Sequence, residues 1–137
     1  METLELETAM SEVDGEIRGL EQALVDGDLK VGPAVDAAIG LANRLMRTFA
    51  AAGGSVLVGL SDNADPLEVF KAFVKGDPSL TAIRDNVREL VYYRNCLASG
   101  RADALPAKPA AMAVRTIRHI YLYLRTRAMK ERGLTGA

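Results

Sequence analysis

From Ala110 to Arg132 the chain reads AAMAVRTIRHIYLYLRTRAMKER, without a glycine or a proline. Ala113, Ile117, Ile120 (with Tyr121) and Leu124 recur every three or four positions, which on a helix aligns them along one side. Arg115, Arg118, Leu122, Arg125, Met129 and Arg132 recur at the same spacing on another side. This is a long helix with an apolar stripe and a basic side, and its stripe needs further elements to cover it.

The rest of the chain has the same period. Leu6, Met10, Val13, Ile17, Leu20 and Leu24 alternate spacings of four and three over nearly three heptads, which predicts a helix from about Thr3 to Val25. Gly15 and Gly19 inside it mark either a close helix approach or tolerated surface positions. Asp26-Gly27-Asp28 breaks this helix. Lys30-Val31-Gly32-Pro33 opens a second, with Val35, Ile39, Ala42, Leu45, Met46 and Phe49 inward, and Gly53-Gly54 stops it. Ser55 to Asn63 is irregular, and a buried loop or a single helical turn is expected there.

Asp65-Pro66-Leu67-Glu68 has a capping carboxylate, a proline at the first helical position and an acid three residues on, which predicts a short helix over 66–75. Asp77-Pro78 repeats the device for a fourth helix over about 78–99, stopped by Gly100. A proline-punctuated connector, 101–109, leads to the last helix. The fold expected is all-α: an antiparallel bundle of four main helices plus one short helix, residues 1–137 forming a single domain.

Composition constrains function more than fold. Aromatic residues make up only 5% of the chain and tryptophan is absent, so the core is aliphatic. The formal net charge of -1 argues against a dedicated nucleic-acid coat or a polybasic membrane anchor. That balance conceals an asymmetry. Residues 1–30 carry nine acids against two bases, and residues 101–137 carry eight bases against two acids. Helices of opposite charge are expected to lie against one another, within one copy or between symmetric copies. The N-terminus lacks the pattern of a signal peptide and no apolar run approaches the length of a membrane span, so the expected compartment is the cytoplasm.

Few residues are candidates for chemistry. His119 is the sole histidine and Cys96 the sole cysteine, so no ligand-spaced metal cluster is expected, and no cofactor. Cys96 is read as a small core residue. Gly53-Gly54-Ser55 lacks the lysine and spacing of a phosphate loop. The paired glutamate and histidine signature of di-iron bundles is missing.

Arg94 stands on an otherwise apolar stripe beside Tyr92 and Tyr93, and an arginine there must pair or reach solvent. It either holds an anion, with Tyr93 lining the pocket, or pairs with a carboxylate, for which Asp36, Asp14 and Glu21 are the candidates. Arg115-x-x-x-His119-x-Tyr121 and Arg94-Asn95 resemble the HEPN helical bundles, which cleave RNA with an arginine and a histidine. The resemblance implies catalytic roles for Arg115 and His119. Its spacing departs from the family's pattern, with too few residues between the two, and no histidine follows Arg94-Asn95.

Three functions follow. The leading expectation is a non-enzymatic interaction or adaptor protein, self-associating as a homodimer, with Leu122 among Arg115, Arg118, His119 and Arg125 as its contact face. The alternatives are an RNA-binding or RNA-cleaving bundle using the same basic helix, and a sensor of a small anion at Arg94 and Tyr93.

Overall fold

The computed structural model describes residues 2–53, 60–61 and 64–132. The expectation for the loop around 55–63 lies mostly outside them. Five α-helices follow in order: α1 (Glu2–Val25), α2 (Val31–Ala52), α3 (Pro66–Gly76), α4 (Arg84–Ala98) and α5 (Pro109–Arg132). Short 3-10 segments precede α4, at Pro78–Ile83, and α5, at Ala102–Ala104. Among the described residues there is no strand, so the chain is all-α, with four long helices and one short one.

One departure from the expected boundaries lies in the fourth helix. Pro78 to Ile83 winds as 3-10 before α4 begins at Arg84. Asp77 starts this segment, its carboxylate accepting from the Ser79 backbone N–H at 3.1 Å and from the Ser79 hydroxyl at 2.6 Å. Asp65 caps α3 in the same way, accepting from Leu67 N–H at 2.9 Å. Two helices also end alike. At the end of α1, Gly27 (φ 75°) lets Asp28 N–H reach the Ala23 carbonyl. At the end of α4, Gly100 (φ 70°) lets Arg101 N–H reach Cys96. Both are left-handed glycine stops that satisfy carbonyls the helix leaves open.

The short turn after α1 folds α2 back along it, so that Arg44 on α2 pairs with Glu12 and Glu16 on α1. α2 is the central element and packs on each of the other four helices. Its Leu45 and Met46 are fully buried, and Phe49 meets Phe73 of α3 edge to face at 5.9 Å between ring centroids. α1 rests on α2 and α5, its Leu6, Val13 and Ile17 fully covered, whereas Leu20 is only partly covered. From α5, Ala113, Ile117, Ile120 and Leu124 complete the core, as their spacing predicts. Gly15 and Gly19 belong to the exposed surface of α1, and a Cβ at either would meet nothing within 4 Å. Neither marks a close approach by a neighbouring helix of the bundle.

Candidate interaction surface

The acidic first helix does lie against the basic last one, within a single copy. Arg118 of α5 donates from Nε to Glu21 Oε2 at 3.1 Å, from a terminal nitrogen to Glu21 Oε1 at 2.8 Å, and from the other to Asp14 at 2.6 Å. Asp14 also pairs with Arg18 at 2.9 Å. The Arg118 and Asp14 side chains are 19% and 13% exposed, shielded enough for the pairing to count. Hydrogen bonding from Arg118 holds the Glu21 carboxyl below its usual range despite partial burial. Glu21 in turn raises the Arg118 guanidinium above its own. The guanidinium also lies 5.4 Å from the ring centroid of Tyr121, a cation–π contact. The spacing places Arg118 on an outward contact face; it is instead an internal tie, because α1 packs over its side of α5.

A second tie joins α5 to the start of the 3-10 segment. Arg127 of α5 reaches Asp77 at 2.6 Å and Ser79 Oγ at 3.0 Å, gripping the residues that start the 3-10 segment. Ser79 hydrogen bonds first, and Arg127 after them, hold Asp77 below the ordinary aspartate range against the opposing pull of burial. The sequence marks Asp77 as a cap, but carries no local sign that an arginine from the last helix would hold it.

Arg94 finds a carboxylate, though none of the three expected. Its partner is Asp65, at 2.6 Å, the capping residue of α3. Burial pushes the Asp65 carboxyl up, and Arg94 with the Leu67 amide more than offsets it, leaving it low. Asp14 and Glu21 are engaged by Arg118 on another side of the bundle. Tyr93 is buried and donates its hydroxyl to Glu89 within α4, so burial and that carboxylate raise its phenol well above the ordinary range. Glu89 and the buried Thr116 of α5 are 3.5 Å apart. Arg94 and Tyr93 therefore already hold protein partners, and an anion binding there must displace Asp65.

The outer ridge of α5 is what remains. Arg115, His119, Leu122, Thr126, Met129 and Lys130 are exposed along it, at alternating steps of four and three up to Met129. Leu122 and Met129, one heptad apart, are 46% and 40% exposed. Arg115 and Lys130 form no ion pair with a described residue. Arg125 is half-buried beside the ridge, and its charge acts on the Tyr121 phenol. Arg115 and His119 share the ridge, while Tyr121 turns into the core and Arg94 belongs to a different helix. Four of the five exposed large hydrophobic residues among those described (Leu4, Val25, Leu122 and Met129) belong to the neighbouring helices α1 and α5.

Cys96 is buried, and among the described residues no group of three or more His, Cys, Asp or Glu is placed to hold a metal ion. No described helix is long and apolar enough to cross a membrane. Comparison with protein-family models, with curated proteins and with solved structures finds no match to this chain. The likeness to HEPN bundles thus rests on the quoted residues alone.

Proposed function

We propose that this chain is a non-enzymatic interaction module that self-associates, a homodimer being its smallest assembly. The observation that carries the reading is the α5 ridge: Leu122 and Met129 exposed in heptad register between Arg115 and Lys130. Apolar side chains at that spacing, flanked by charge, are the pattern by which one helix docks on another surface. Arginine and methionine are also favoured at protein interfaces. Arg118 and Arg127 support the reading by subtraction, since both tie the bundle together and leave a smaller basic surface than the sequence suggests.

Sedimentation velocity over a range of protein concentrations, at low and at high salt, tests the proposal. The expected result is reversible association that weakens with salt, because exposed charge pairs are screened. A monomer at every concentration and both salts overturns it. A gel-shift with generic RNA at low salt is the second arm, since phosphate contacts are strongest there. The expected result is no retardation. Salt-sensitive retardation without self-association overturns the protein-binding reading in favour of the RNA-binding one.

A further inference from the structure

The surface of this chain has a groove that matches its own α5 ridge. It lies open between α1 and α2 in two reaches that share Arg44, whose side chain pairs across to Glu12 and Glu16. One reach, of about 560 Å³, has Glu16, Leu20, Gly40 and Leu41 along it. The other, of about 390 Å³, is bounded by Leu4, Glu5 and Thr48. The α1 side thus runs from Leu4 to Leu20, a separation of sixteen positions, or about 24 Å at the helical rise. The ridge from Arg115 to Lys130 covers a separation of fifteen positions, or about 22 Å by the same rise.

Charge matches as well as length. Glu5 and Glu16 line the groove with Arg44 as the base among them, and Arg44 pairs with Glu16 and with Glu12 on the same helix, so the lip is net acidic. The ridge offers Arg115 and Lys130, with Leu122 and Met129 as apolar knobs between them. A Cβ placed on Gly40 would meet nothing within 4 Å, so the groove floor there is open to a side chain from outside.

We propose that the α1–α2 groove receives the α5 ridge of a second copy, head to tail. Leu122 and Met129 seat over Leu20, Gly40 and Leu41, while Arg115 and Lys130 face the glutamate lip. The inference rests on the self-association proposed above and names its two surfaces. Ridge and groove are different parts of the chain, so the contact is heterologous, and each copy offers one of each.

Complementation between two variants tests it. Leu122→Glu with Met129→Glu spoils the ridge and leaves the groove. Gly40→Met fills the groove and leaves the ridge. Each variant alone is expected to associate about tenfold more weakly than the wild type, or less still. Mixed in equal amounts they are expected to form a dimer and nothing larger, because a single competent ridge–groove pair remains.

Charge reversal provides an independent arm should Gly40→Met fail to fold. Glu5→Lys with Glu16→Lys is expected to weaken association, and Arg115→Glu with Lys130→Glu in the other copy is expected to restore it. If the variants associate as the wild type does, or the mixtures stay monomeric, the ridge–groove pairing is overturned while self-association through another surface stands. A wild type that never associates removes both proposals together.

Discussion

Arg118 and Glu21, 97 residues apart in the chain, meet through two parallel hydrogen bonds of 3.1 and 2.8 Å. This fork-on-fork contact fixes how α1 lies on α5, and Asp14 receives the remaining arm of the same guanidinium. It turns an arginine that reads as a surface contact into a structural tie.

Replacing Arg118 with Met keeps most of its volume and removes its charge. Asp14 is then left shielded without that partner, and the expected loss is about 2–3 kcal/mol of unfolding free energy. Arg115→Met, on the exposed ridge, is expected to change stability by no more than about 0.5 kcal/mol. Urea denaturation followed by circular dichroism compares the two. Equal losses would mean that the α1–α5 tie contributes no more than an ordinary surface charge.

Acid should loosen the same ties. Glu21, Asp65 and Asp77 all have carboxyls held below their ordinary values in the folded state. The unfolded chain therefore binds protons first, at about pH 4. The stability these groups contribute is complete above that pH and is lost as pH falls through their lower folded values. The melting temperature is expected to hold from neutral pH down to about 4.5 and to decline below it. Arg118→Met should make that decline shallower. A melting temperature independent of pH down to about 2 would show that the pairs add nothing.

The two roles of Asp77 are separable. Asp77→Asn keeps an oxygen for the Ser79 amide but loses the charge facing Arg127, whereas Asp77→Ala loses both. The alanine variant is expected to cost about 1 kcal/mol more than the asparagine one, the usual worth of a helix cap. Thermal melts of the pair read this difference. Equal losses would assign the whole effect to Arg127.

Glycine substitutions should move stability in both directions. Gly15→Ala adds a methyl to an exposed helix interior where nothing lies within 4 Å, and is expected to stabilise by up to about 1 kcal/mol. Gly27→Ala forces a side chain into a left-handed backbone at φ 75° and is expected to destabilise by about 1 kcal/mol. Urea midpoints at constant slope measure both. A loss of stability in Gly15→Ala would show that its open face is filled in solution.

Five helices, most of their ends and most of the core are legible in the residues alone, the exception being Pro78–Ile83, which winds as 3-10 before α4. Those features depend on residues three and four apart, on aspartate–proline starts at Asp65 and Asp77, and on glycine stops at Gly27 and Gly100. All of these act within one or two helical turns of chain, so they can be read without knowing what packs where. The partners of three arginines follow from helix packing instead: Asp65 for Arg94, Asp14 and Glu21 for Arg118, Asp77 for Arg127. Those pairs join residues 29, 104, 97 and 50 positions apart, and the helix crossings select them. Each residue adds about 100° around a helix, so an arginine at the edge of a stripe turns inward or outward according to where the neighbouring helix lies, which no local pattern records.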